Sequence, residues 1–258
     1  MALLNCNFFA SSLGISTAMT VILPQPTGAA QIGMAGSKSN RKTFPVLYLL
    51  HGLSDDHTIW MRRTSIERYV AAMDLIVVMP AVDRSFYCDM QYGGKYWEFI
   101  SEELPETVAR FFPVGTKREE TFAAGLSMGG YGALKLGLRL PERFAAVASL
   151  SGVTDIAARC RADDHAFRAI FGDSSPRDTA DDLFYLSRRL VDEGWRAPQI
   201  FQCCGTEDFL YEDNRRFHDH LKNIGMDTVY REMPGNHNWG FWDDRIKDVL
   251  AWLPLPQN

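Results

Sequence analysis

The feature that most constrains this chain is a set of short apolar runs spaced by helix-like segments. FPVLYLL (residues 44–50) and LIVVMPAV (75–82) carry no charged residue and no polar alternation. Uninterrupted runs of that length suit strands buried on both faces, the usual condition of parallel strands. Thr121–Ala124, Ala145–Leu150, Gln199–Cys204 and Val229–Met233 read as further strands. Thr58–Met73, Tyr96–Phe112, Gly130–Leu140, Phe209–Ile224 and Phe241–Trp252 read as the helices between and after them. At the N-terminus, Leu3–Ala10 reads as a strand paired with Ser16–Leu23. This alternation predicts the α/β class, a mostly parallel central sheet flanked by helices. At 258 residues, one such domain over 1–258 is expected.

Two segments interrupt the rhythm. Residues 25–42 are rich in Gly, Pro, Ser and Ala and read as a mobile connection. Residues 153–198 are too long for one crossover helix and contain two helical stretches, Asp163–Phe171 and Ala180–Glu193. An insertion after a strand's carboxyl end falls beside the ligand crevice of an open α/β sheet, so a small helical cap is expected there.

Composition excludes several classes of partner. The net charge is −5 and the basic residues are scattered, so there is no stripe to track a nucleic-acid backbone. No run approaches the ~18 apolar residues of a membrane span. The start, MALLNCNFFASSLGIS, is apolar but lacks a charged n-region, so it reads as a first strand of a cytoplasmic protein. The five cysteines (Cys6, Cys88, Cys160, Cys203 and Cys204) show no C-x-x-C spacing. They suit buried thiols in a reducing compartment better than a metal site or a disulfide framework.

The chemistry begins at TFAAGLSMGG (121–130), where a strand feeds G-x-S-x-G and a helix follows. That context thrusts Ser127 out of a sharp turn as a nucleophile, and Gly125 and Gly129 leave room for it. A serine hydroxyl needs a base, and the base needs an orienting carboxylate. On this architecture both follow in the order acid, then histidine, in loops beyond later strands. Asp208 lies just past the strand Gln199–Cys204, with Glu207 its neighbouring competitor and helix capping its bland role. His237 follows Val229–Met233 in MPGNHNW. His218 and His220 fall on a surface helix, His165 in the cap and His57 in an upstream loop. The oxyanion is expected to meet the backbone N–H groups of Met128 and of Leu53, in the HGLS loop after FPVLYLL. His51 reads as a brace for that loop. Of the aromatic residues Trp60, Tyr92, Tyr96, Trp97, Trp239 and Trp242, Trp97 and Trp239 are candidates for acyl-pocket walls, or else plain packing.

With the elbow, the HGL loop, GTEDFLY and GNHNW in place, the chain resembles the esterase D family of α/β hydrolases. That group includes tributyrin-type short-chain carboxylesterases, S-formylglutathione hydrolases and mycolyltransferases. FPVLYLLHGLSDDHTIW, LIVVMP, DMQYG, EELPETVARFFP and KREETFAAGLSMGGYGALKLGL carry the likeness, which looks closest to the tributyrin-type enzymes. The resemblance implies an α/β-hydrolase fold with Ser127, Asp208 and His237 as triad and Leu53 and Met128 as oxyanion donors. It further implies hydrolysis of small acyl esters through an acyl-enzyme, with no metal or organic cofactor, and self-association in many members. No cysteine closely follows the HGL loop, which sets the chain apart from the formylglutathione hydrolases. The rival readings are a thioesterase acting on S-formylglutathione, an acyltransferase, and a catalytically silent binding module.

Overall fold

Burial on both faces is what the apolar runs obtain. In the computed structural model, which describes residues 1–25, 41–160 and 165–256, they form the centre of one eight-stranded sheet. The strands are β1 (Ala2–Ala10), β2 (Ile15–Leu23), β3 (Val46–Leu50), β4 (Ile76–Pro80), β5 (Thr121–Leu126), β6 (Ala146–Leu150), β7 (Gln199–Gly205) and β8 (Thr228–Met233). Their order across the sheet is β1-β2-β4-β3-β5-β6-β7-β8. The β1–β2 hairpin and the β2–β4 pair are antiparallel, and every pairing from β4 to β8 is parallel. Side chains alternate between two cores, as a strand's two-residue period demands. Val46, Tyr48 and Leu50 of β3 point into one, Leu47 and Leu49 into the other. Cys203 and Cys204, neighbours on β7, are both fully buried, and no disulfide joins the five cysteines.

The helix Met128–Arg139 lies on the sheet behind the nucleophile turn, with every residue from Met128 to Leu138 buried. So close an approach needs glycine. A Cβ on Gly129 would strike the carbonyl oxygen of Leu50 and come within 2.7 Å of that of His51. Gly129→Ala must therefore shift backbone, at a cost of roughly 3 kcal/mol. The expected result is a Tm lower by about 6–12 °C in a thermal melt.

Several elements differ from their sequence reading. Thr58–Met73 forms two short helices, Ile59–Arg63 and Ile66–Val70. Thr64 breaks them because its hydroxyl donates to the Trp60 carbonyl at 2.6 Å and accepts from the Ile66 N–H at 3.1 Å. A local side-chain bond here replaces the helical one. Tyr96–Phe112 is continuous but passes through a π turn at Phe99–Glu103. Pro105 has no N–H for the Ser101 carbonyl, and the Arg143 guanidinium donates to it instead. The connection expected over 25–42 lies outside the described residues except for Gln25, Arg41 and Lys42.

The 153–198 segment holds helices Ile156–Arg159, His165–Phe171 and Leu183–Asp192, with 161–164 outside the described residues. Helix Leu183–Asp192 packs against Met128–Arg139 and buries Leu183, Leu186 and Leu190. It is thus the crossover layer between β6 and β7 and not part of a lid. The excursion proper is the stretch before it. Its helix His165–Phe171 is held on the 86–92 loop by Phe167 against Phe86, at 5.0 Å between ring centroids. Backbone bonds from Gln91 and Tyr92 to Ile170 and Ala169 complete that attachment.

One buried charge holds the same region. Lys135 is fully buried and donates to Asp181 Oδ1 at 2.5 Å, the Tyr87 carbonyl at 2.8 Å and Cys88 Sγ at 3.1 Å. Its ammonium also lies 4.8 Å from the Trp97 ring centre, with the Arg139 guanidinium 4.0 Å from the same ring. Burial pushes the Asp181 carboxyl up, but the charge and hydrogen bond of Lys135 outweigh it and leave it below the usual aspartate range. A carboxyl lowered on folding stabilises the fold above its unfolded value near 4 and loses that contribution as pH falls through the folded value. Lys135→Met strands the Asp181 carboxylate and should cost about 3 kcal/mol at neutral pH. The Tm gap to the parent chain should narrow on acidification below about pH 4, which a pH series of melts reads directly.

Candidate active site

Ser127 sits between β5 and its helix with φ 52° and ψ −116°, a left-handed conformation that a serine holds only under outside constraint. The constraint is visible. The Ser127 N–H donates to the Leu150 carbonyl at 2.9 Å, and its own carbonyl accepts from Tyr131 at 3.1 Å and Val153 at 3.2 Å. A Cβ on Gly125 would collide with the Gly129 backbone, so the two flanking glycines let the turn close.

Asp208 and His237 come from the loops after β7 and β8, which are pressed together. A Cβ on Gly205 would meet the Gly235 carbonyl. Thr206 and Glu207 donate their N–H groups to the Met233 and Gly235 carbonyls, each at 3.0 Å. Glu207 is exposed, and its carboxylate accepts the Gly235 N–H, bracing the histidine loop without touching the imidazole. Asp208, its side chain fully buried, does touch it: His237 Nδ1 donates to Asp208 Oδ2 at 2.9 Å. The other oxygen accepts from the Leu210 N–H at 2.8 Å. Burial raises the Asp208 carboxyl, but the bonds from His237 and Leu210 prevail and hold it below the ordinary aspartate range, hence ionised. Because an ionised carboxylate only accepts, Nδ1 carries the proton and Nε2 is free to accept. Nε2 lies 3.0 Å from Ser127 Oγ. The structure thus joins the three side chains in one chain of hydrogen bonds, across 110 residues of sequence between Ser127 and His237.

Two rings flank the imidazole. Trp242, buried, meets it edge-on at 4.8 Å between centroids, and Phe209, exposed, lies at 4.6 Å. Trp242 Nε1 donates to Ser151 Oγ at 3.2 Å, which ties the buried ring beside the imidazole to the residue that follows β6. Sequence reading passed over Ser151. Its available signal was position: it follows β6 as Ser127 follows β5, and it too has positive φ, at 47°.

The HGLS loop runs beside the nucleophile. A Cβ on Gly52 would stand 2.7 Å from Leu126 Cδ1 and 3.8 Å from Ser127 Cβ. His51 fixes the loop: Val82 N–H donates to its Nε2 at 3.0 Å, so its Nδ1 carries the proton and donates to the Gly52 carbonyl at 2.7 Å. Burial pushes the His51 pKa down, in keeping with this neutral ring. The Tyr87 hydroxyl donates to the His51 carbonyl at 2.9 Å and Trp60 Nε1 to the Leu50 carbonyl at 3.1 Å. Among the described residues, neither the Leu53 nor the Met128 N–H donates to another backbone group.

The remaining candidates separate. Trp239 stacks edge-on with Trp60 at 5.2 Å and Trp242 at 5.3 Å, which joins it to the ring cluster beside His237. Trp97 does not belong to that cluster, since its ring serves the Lys135 and Arg139 cations. Tyr96 donates to Asp83, and Tyr92 is largely exposed. His218 stacks on Tyr230, His220 bonds the Ser187 hydroxyl, and His165 opens the helix of the excursion. Among the described residues no group of three or more His, Cys, Asp or Glu could hold a metal ion. No described helix is long and apolar enough to cross a membrane.

An α/β-hydrolase sheet with a strained serine on its elbow defines the class: a serine hydrolase acting on carboxylic esters. The chain belongs to the Esterase family, whose model matches residues 12–253. It is 33% identical over 264 residues to an acetyl esterase of Caldicellulosiruptor saccharolyticus, spanning 98% of both chains. Among solved structures it is similar to the fluorophosphonate-binding serine hydrolase FphF of Staphylococcus aureus, at 36% identity, TM-score 0.89 and 99% coverage of each chain. It is also similar to the S-formylglutathione hydrolase FrmB of Staphylococcus aureus, at 37% identity, TM-score 0.86 and 98% coverage of each.

Proposed function

We propose that this carboxylesterase cleaves short-chain acyl esters through an acyl-enzyme on Ser127, with His237 as the base and Asp208 as its orienting carboxylate. The observation that carries the reading is the continuous bond chain from Ser127 Oγ through His237 to Asp208. His237 Nε2 takes the hydroxyl proton as Oγ attacks the ester carbonyl, and the ionised Asp208 stabilises the imidazolium so formed. The developing oxyanion is received by the N–H groups of Leu53 and Met128, worth about 3–4 kcal/mol each to the transition state. His237 returns its proton to the leaving alcohol. Water, deprotonated by the same ring, then releases the acid. No step calls for a metal or an organic cofactor.

The likeness to an acetyl esterase and the resemblance to tributyrin-type enzymes support a small acyl group. The expected result is kcat/KM on p-nitrophenyl esters highest at acetate to butyrate and falling with longer chains. A rising profile would overturn the short-chain reading. The likeness to S-formylglutathione hydrolase favours a second reading, a thioester substrate on the same machinery. Comparing kcat/KM on S-formylglutathione and on tributyrin separates the two. Five cysteines with no disulfide among them support a reducing compartment such as the cytoplasm.

A further inference from the structure

We propose that Phe209 is the platform of a leaving-group subsite that selects esters of aromatic alcohols. The inference deepens the reading of Ser127, His237 and Asp208 and rests on it.

Geometry places the ring where the departing half of the substrate must pass. The histidine that takes the Ser127 proton returns it to the leaving oxygen, so that oxygen comes within hydrogen-bond reach of His237 Nε2. Whatever is attached to it lies against the groups bordering the imidazole. Two rings border it among the described residues: Trp242, with 5% of its surface exposed and its Nε1 committed to Ser151, and Phe209, with 65% exposed. Only the second has a face to offer.

An apolar ring that open to solvent is normally loose, but this one is clamped. Its backbone lies between the Asp208 carboxylate, which accepts the Leu210 N–H at 2.8 Å, and the Tyr211 N–H, which donates to the Asp208 carbonyl at 2.9 Å. The Arg159 guanidinium donates to the Phe209 carbonyl at 3.1 Å while paired with Asp213 at 2.6 Å, and its centre stands 5.7 Å from the ring centroid. The phenyl group therefore projects from a fixed backbone, near an imidazole and a guanidinium, with most of its surface open to solvent. A fixed, exposed aromatic face beside the proton donor fits a flat aromatic leaving group, which stacks on it, and gives little to a methyl or ethyl group.

The test varies the leaving group at constant acyl group: methyl, phenyl and 2-naphthyl acetate, each compared between the parent protein and Phe209→Ala. Comparing each ester with itself cancels its intrinsic reactivity. Stacking of one ring pair predicts a loss of kcat/KM of roughly 2- to 10-fold on the two aryl esters. Methyl acetate should change less than about twofold, and the ethyl acetate to ethyl butyrate ratio should stay constant. Phe209→Trp should restore the aryl preference. An equal loss on all three acetates would show that Phe209 merely positions His237, and no loss on any would show an idle ring. Either result overturns the proposal. Fluorophosphonate labelling of both proteins keeps its failure distinct from that of the underlying reading. Label on Ser127 with flat ratios rejects the platform alone, whereas absence of label on Ser127 rejects the triad and the platform with it.

Discussion

Ser127→Ala is expected to lower turnover of p-nitrophenyl butyrate by roughly a millionfold, the scale found when a triad serine is removed elsewhere. The fold should survive, because alanine meets the same φ of 52° with no more steric demand than serine. The three backbone bonds that hold the turn come from main-chain groups and persist. The Tm should therefore change by no more than a few degrees while fluorophosphonate labelling vanishes. Substantial turnover in a well-folded Ser127→Ala protein would place the nucleophile elsewhere and remove the mechanism.

Asp208→Asn is expected to cost roughly four orders of magnitude in kcat. The side chain keeps its shape, but its amide can present N–H to His237 Nδ1. The imidazole then carries its proton on Nε2 and can no longer accept from Ser127 Oγ. Glu207→Gln is the matched control, since Glu207 accepts from the Gly235 N–H and the Thr206 hydroxyl and does not touch His237. It should leave kcat within a few-fold. Reversal of the two effects would assign the acid to Glu207. Acid stability adds an independent reading. With its carboxyl lowered on folding, Asp208 stabilises the fold above the unfolded value near 4 and loses that contribution as pH falls through the folded value. The asparagine variant should lack that part of the acid dependence of Tm.

The sheet and the elbow were legible in sequence for local reasons. Runs such as LIVVM leave no polar face for solvent, and G-x-S-x-G marks a turn that only glycines can flank. Asp208 and His237 were legible because each follows a strand end in the required order, and exposure then separates Asp208 from Glu207. What escaped was set by distant partners. The helix break at Thr64 is reinforced by Asp243, which accepts from the Ser65 N–H and the Tyr69 hydroxyl across more than 170 residues. Lys135 reads as one more cation on a helix until Asp181, Tyr87 and Cys88 close around it. Ser151 meets Trp242 only across 91 residues of sequence, once β6 and β7 have paired. Chain length alone cannot say that, of the segment 153–198, the helix Leu183–Asp192 packs on Met128–Arg139 while the stretch before it makes the excursion.

The spacing of the three side chains has a consequence for biosynthesis. The acid follows the nucleophile by 81 positions and the base by 110. The base sits on a loop pinned at its far end by the Asn238 side chain, which accepts the Phe241 N–H at the start of the final helix. A growing polypeptide thus carries its serine long before anything can deprotonate it. Any intermediate that stops short of His237 lacks the base and should be inert toward esters.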